Sequence, residues 1–212
     1  MRLLAIDTAA NLCAACVFDS DAGELGRTVL DLGKGHAEHL IGVIDDALKA
    51  AGTNYGDLDA IAVSIGPGSF TGVRVGVATA RGLALALKAP AVGVSTLEAL
   101  AYETRDAKPG HPVTARIEAG RGQVYLASFA ADGSPTMEPA ALSLASAEDF
   151  IRKAGGDTLL ASGVTADIAI YAKLAAQKLA AEPAPAKPKP LYLREADARP
   201  QDAFALPRKT SP

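Results

Sequence analysis

A chain of 212 residues can bury a sizeable core, as one domain or as two small lobes. It is 49% hydrophobic and 21% charged, as globular proteins are; with 5% aromatics and no Trp, alanine and aliphatic side chains must build the core. A net charge of −3 and a pI near 5.6 exclude an overall basic field, so the chain is not expected to be the main electrostatic dock for a nucleic acid.

Arg74 and Arg81 interrupt the longest apolar stretch, short of the about 18 uninterrupted apolar residues of a membrane span, and no membrane association is expected. Met1-Arg2 leads into a strand pattern without a signal-peptide pattern. Together with only two cysteines, this gives the expectation of a reducing, cytoplasmic setting.

Leu3 to Thr8 reads as a first buried strand, Cys13 to Phe18 as a second and Leu25 to Leu32 as a third, with turns at Ala9-Ala10-Asn11 and Asp21-Ala22-Gly23. Asp7 and Thr8 close the first strand, either as a simple cap or as a phosphate-approaching turn. Cys13-x-x-Cys16 and His36-x-x-His39 together make a formal zinc set. Cysteines three apart on a strand point to opposite faces, however, and the histidines are spaced too closely, so no metal site is expected. His36 to Ala51 is an amphipathic helix with Leu40, Ile44, Ala47, Leu48 and Ala51 on its apolar stripe and Ile41 beside it.

Ile61 to Ile65 is a further buried strand, and after it comes the most informative stretch, Gly66 to Ala84. Pro67-Gly68 is turn chemistry, with positive φ expected at Gly68. Ser69 caps the next helix, with Thr71 as the alternative cap. Val73, Val77, Ala80, Ala84 and Leu87 form one apolar stripe of that helix, and Gly72, Gly76, Thr79, Leu83 and Ala86 form the next. A glycine inside a helix costs roughly 1 kcal/mol against alanine. Gly72, Gly76 and Gly82 therefore imply a close approach, either by another helix, even one from another chain, or by the chain's own interior. The spacing fits neither G-x-x-x-x-G-K-[ST] nor G-x-G-x-x-G, so the turn is a weak phosphate signal.

Pro90 to Val94 reads as a strand, and Ser95 with Glu98 as a capping box. From about Tyr102 the pattern changes. Pro112 to Ile117 and Gln123 to Phe129 read as strands joined by a hairpin turn at Ala119-Gly120-Arg121-Gly122. A helix capped by Ser146 runs to about Ala154, Thr158 to Ser162 is a short strand, and Thr165 to Ala181 is an alanine-rich helix. Glu182 to Pro190 is an extended polyproline-type linker. The expected division is therefore 1–101, 102–181 and a linker with tail at 182–212.

The stretch Gly66 to Ala84 resembles the signature of the TsaB family, also called YeaZ, bacterial proteins needed for threonylcarbamoyladenosine modification of tRNA. His36-Ala37-Glu38-His39-Leu40 resembles the helix that lies against the glycine helix in that family, with Ala37 where members often carry Ser. Leu191 to Pro200 resembles its C-terminal run. Glu118-Ala119-Gly120 departs from the family's usual Asp-Ala-Arg run, so no role is assigned there.

The order strand, Asp-Thr turn, strand, strand, helix, strand opens the actin-like, sugar-kinase-like ATPase fold. The expected class is thus α/β, a two-lobe ASKHA fold with ribonuclease H-like lobes. That fold's Asp-x-Gly-Thr turn approaches phosphate. Here Asp7-Thr8-Ala9-Ala10 lacks the glycine, so Asp7 and Thr8 form a degenerate nucleotide site.

The resemblance implies a non-catalytic partner of the transferase TsaD. With the ATPase TsaE, TsaD places the threonylcarbamoyl group on adenosine 37 of tRNAs reading codons that begin with A. It also implies a homodimer when the chain is alone, only indirect contact with tRNA, and ATP and metal held by the partners rather than by this chain. The implied partner face comprises His36, Leu40, Ser69, Phe70, Gly72, Val73, Arg74, Gly76, Thr79 and Arg81. Gly76→Leu is then expected to damage association more than folding.

Two other classes compete. A sugar-kinase-like ATP-dependent enzyme needs Gly-rich phosphate turns in both lobes, and the second offers only Gly155-Gly156-Asp157 and Gly163. A metallopeptidase-like protein needs the His-x-x-x-His pair that TsaD carries, at positions that are Thr96 and Leu100 here.

Overall fold

The computed structural model describes residues 1–194; the resemblance at Glu195 to Pro200 and the tail to Pro212 lie outside the described residues. The chain builds two sheets. The first contains β1 (Arg2–Asp7), β2 (Leu12–Asp19), β3 (Gly23–Asp31), β4 (Ala60–Ser64) and β5 (Ala91–Val94), in the order β3-β2-β1-β4-β5. β2 is antiparallel to β1 and β3, whereas β4 runs parallel to β1 and β5 parallel to β4. The second sheet contains β6 (Val113–Gly120), β7 (Gln123–Phe129), β8 (Pro135–Ser143) and β9 (Leu159–Ser162), in the order β8-β7-β6-β9. Its strand senses repeat those of the first four strands of the first sheet. The architecture is the two-lobe α/β ASKHA fold.

Strand alternation decides what covers each face. Leu4, Ile6, Ala15, Val17, Ile61 and Val63 point to one side of the first sheet, where α1 (His36–Ala50) and α2 (Phe70–Leu87) cover them. Leu3, Ala5, Ala14, Phe18, Ala60 and Ala62 point to the other side, onto α5 (Ile168–Ala181). α3 (Thr96–Ala107) leaves the first sheet to cover Val113, Ala115, Ala127 and Phe129 of the second. α4 (Leu144–Ala154) closes the far side over Val124 and Leu126. The sequence-late α5 thus covers the early sheet and α3 covers the late one, and the two helices meet in a single shared core.

Several expectations shift in detail. α4 is capped by Ser143, whose hydroxyl accepts from Ser146 N, so the helix begins earlier than a cap at Ser146 would allow. β8 escaped the reading because Pro135 and Pro139 break its pattern; it is an edge strand, where proline is tolerated. α2 is long and apolar enough, by length and composition alone, to cross a membrane, but it carries Arg74 and Arg81 and its Val73–Val77–Ala80–Ala84 stripe packs on the sheet.

Candidate functional site

The end of β1 meets the start of α2, and this junction holds most of the residues singled out from the sequence. Asp7 is 1% exposed. Its Oδ1 accepts from Ala9 N at 2.9 Å, and its Oδ2 accepts from Thr165 Oγ1 at 2.5 Å, reaching across to the second lobe. Tyr171, fully buried on α5, contacts Thr165 Oγ1 through its hydroxyl at 2.7 Å. Ser64 and Thr96 pair nearby at 3.2 Å. Burial pushes the Asp7 carboxyl above its ordinary value of 3.8; the hydrogen bonds from Thr165, Ala9 and Ser64 and the nearby His36 oppose this without reversing it. Burial likewise pushes the Tyr171 phenol upward.

Thr8 is wedged under α2. Its Oγ1 donates to Gly72 O at 2.7 Å. Ser69 N donates to Ala9 O at 2.6 Å, and the Ser69 hydroxyl accepts from Gly72 N as the expected cap. These bonds take up N–H groups that a phosphate at a helix N-terminus would need. Positive φ falls on Gly66, at +88°, rather than on Gly68; Gly68 is glycine because a Cβ there would collide with the Ala9 carbonyl.

The glycine stripe requires a correction. A Cβ on Gly72 would overlap Thr8 O, and one on Gly76 would lie 2.6 Å from Thr8 Oγ1. Both glycines are buried against the chain's own first strand, as is Val73 against the sheet, so all three face the chain's interior and not an open surface. His36 and Leu40 are also buried, because they continue inward the helical stripe of Ile44 and Ala47. His36 Nε2 has no hydrogen-bond partner among the described residues. Ser69, Phe70, Arg74 and Arg81 do reach the surface, and Thr79 is half-buried.

The third glycine, Gly82, behaves differently. It is exposed, and a Cβ there would meet nothing within 4 Å. Ala78 and Ala86 are exposed beside it, with Val75 and Thr79 half-buried along the same side. The large apolar residues Ile41, Phe70 and Leu85 stand 50%, 51% and 80% exposed on this outer surface of α1 and α2.

The segment after α5 was expected as a linker. Instead it crosses the molecule as a docked strap. Pro188 is buried against Gly93, and Leu191 N donates to Ile65 O at 2.8 Å. The Arg74 guanidinium stacks on Phe70, 3.7 Å from the ring centroid, and its Nε donates to the Tyr192 hydroxyl at 2.6 Å. Arg194 donates to the Ala119 and Gly120 carbonyls of the β6–β7 hairpin. Nothing in composition marks this docking; the participation of Tyr192 was missed.

The formal Cys-and-His zinc set is not brought together. Cys13 and Cys16 belong to opposite faces of β2, and burial pushes their thiols up to about 11 and about 12. Thr96 and Leu100 are buried on α3, and among the described residues no group of three or more His, Cys, Asp or Glu is placed to hold a metal.

Comparison with known proteins gives the chain its relatives. The family model "TsaD: tRNA N6-adenosine threonylcarbamoyltransferase" matches residues 31–154. The chain is 37% identical over 132 residues to the tRNA threonylcarbamoyladenosine biosynthesis protein TsaB of Escherichia coli K12, covering 62% of this chain and 56% of that one, so the match spans just over half of the relative. A protein of Mycobacterium tuberculosis H37Rv described only as uncharacterized is 34% identical, with 93% of this chain and 94% of that one covered. The solved structure of YeaZ from Pseudomonas aeruginosa superposes with a TM-score of 0.73 at 26% identity, covering 91% of this chain and 99% of that one. With its glycine helix and these relatives, the chain belongs to the TsaB (YeaZ) family, within the wider TsaD grouping.

Proposed function

We propose that the chain is the non-catalytic partner of a TsaD transferase in forming threonylcarbamoyladenosine at position 37 of tRNA, with TsaE as the third component and ATP and metal held by those partners. The observation that carries this reading is the outer face of α1 and α2. Ile41 on α1 and Phe70 and Leu85 on α2 stand exposed, and α2 also exposes the open backbone of Gly82 and the small side chains of Ala78 and Ala86. Large exposed apolar residues beside small ones let another helix approach closely. On this reading the partner face moves off Gly72 and Gly76 and onto Phe70, Arg74, Ala78, Thr79, Gly82 and Leu85. Without TsaD the same surface pairs two copies about a two-fold axis.

The missing glycine in the Asp7-Thr8-Ala9-Ala10 turn supports a scaffold over a kinase-like enzyme. The test is a reconstituted tRNA assay with TsaD and TsaE, with and without this chain. Modification that requires the chain, and no modification or ATP turnover by the chain alone, is the expected result. Modified adenosine formed with TsaD omitted, or saturable ATP hydrolysis lost on Asp7→Ala, would refute it.

A further inference from the structure

Between Asp59 and Glu98 the chain contains no carboxylate, although its net charge is −3. Within that stretch Arg74, Arg81 and Lys88 fall seven residues apart along α2 and its cap. Residues seven apart on a helix lie about 20° round from one another, so the three form one cationic row. The row runs along the side of α2 that faces the strap. Arg74 meets Tyr192 there, and Arg81 and Lys88 line a groove of about 540 Å³ with Lys187.

The groove lining is largely apolar, with Leu85, Ala89, Pro90 and Pro185 in it, and among the described residues no acidic side chain lines it. Among the described residues Arg81, Lys88 and Lys187 have neither an ion pair nor a side-chain hydrogen bond. Three unpaired cations around one groove repel one another and gain by meeting an anion. Gly82 and Leu85 line the groove as well as belonging to the proposed partner face, so the groove adjoins that face along α2.

We propose that this groove binds the phosphodiester backbone of an RNA, with Arg81, Lys88 and Lys187 each reaching a phosphate. That the anion is RNA rests on the tRNA reading above; that the groove takes phosphate rests on its charge and lining. An RNA strand fits better than a compact polyphosphate for two reasons. The cations are spread around an open groove rather than converged on one point. The helix end here is also a C-terminus, whose dipole disfavours a concentrated negative charge. Separate, singly charged phosphates spread along the row match the spacing of the cations and face a smaller dipole penalty than a polyphosphate gathered at the helix end. The chain then contributes a contact that an overall net charge of −3 conceals.

The test measures binding of a tRNA transcript to the full chain, alone and with TsaD, across a salt series. It compares wild type with the triple variant Arg81→Gln, Lys88→Gln, Lys187→Gln and with Lys187→Gln alone. The expected result is a log–log salt slope shallower by about 2–3 in the triple variant and by about 1 in the single one, with unchanged melting temperature. Equal binding and slope in all three proteins, including no binding by any, overturns the proposal. Displacement of RNA by tripolyphosphate at matched ionic strength and equal phosphate concentration would assign the groove to a small anion and overturn the RNA claim. Association with TsaD without RNA is measured in parallel. A wild type that binds RNA through these residues but never TsaD sinks the partner reading and leaves the groove standing; the reverse sinks the groove alone.

Discussion

Gly72 and Gly76 show how a single missing Cβ is decided by what it would touch. At both, a side chain would enter the space held by Thr8. Gly76→Leu is therefore expected to lower stability by about 1–3 kcal/mol or more, the cost of overpacking a filled core, and to be read in a thermal melt. Gly82 meets nothing and is exposed, so Gly82→Ala should raise stability by about 0.5–1 kcal/mol through helix propensity. Equal effects at positions 76 and 82 would contradict this assignment. Asp7 is predicted to control a pH dependence. Its folded pKa is raised above 3.8, so the folded state holds a proton that the unfolded chain releases first. Its contribution is most favourable below the unfolded value and is lost as pH rises through the folded one. Asp7→Asn should melt progressively higher than wild type as pH rises from about 4 to 8, measured by melts across that range; a gap that narrows with pH would contradict the sign. The thiols of Cys13 and Cys16, buried and pushed up to about 11 and about 12, should react with a thiol reagent only after unfolding.

At the scale of elements, helices and central strands were legible because their apolar periods are strong. The stripe of Val73, Val77, Ala80 and Ala84 indicated the buried face of α2, and the Ser95–Glu98 pair marked the start of α3. Glycine was ambiguous for a physical reason: its absent side chain permits close approach without naming what approaches. The His36–Leu40–Ile44–Ala47 spacing did carry the signal that His36 faces inward. The strap was not legible. Its docking rests on Pro188 against Gly93 and on backbone bonds such as Leu191 N to Ile65 O, which leave no pattern in the sequence. Arg194→Ala removes two hydrogen bonds from Arg194 to the hairpin and the stacking on Tyr125. It should cost about 1–3 kcal/mol and increase hydrogen exchange in the strap, with little change in the first sheet. Unchanged strap protection would show that Pro188 and Leu191 hold it alone.

The whole molecule is interlocked because α3 and α5 each cover the other lobe's sheet. Arg27 on β3 also pairs with Asp167, the α5 cap, at 2.7 Å, and Asp7 reaches Thr165 across the same boundary. The two sheets are therefore expected to unfold in one calorimetric transition, and two resolved transitions would contradict the shared core. The proposed scaffold role rests on the outer face of α1 and α2. The measurement that tests that claim most directly is sedimentation of the full chain with TsaD, comparing wild type with Ala78→Arg, Gly82→Arg. Both positions are exposed, and Gly82 has open space around it, so the variant should melt like wild type. The account predicts that it fails to form both the heterodimer and the homodimer. A variant that folds and still binds TsaD as tightly as wild type would contradict it.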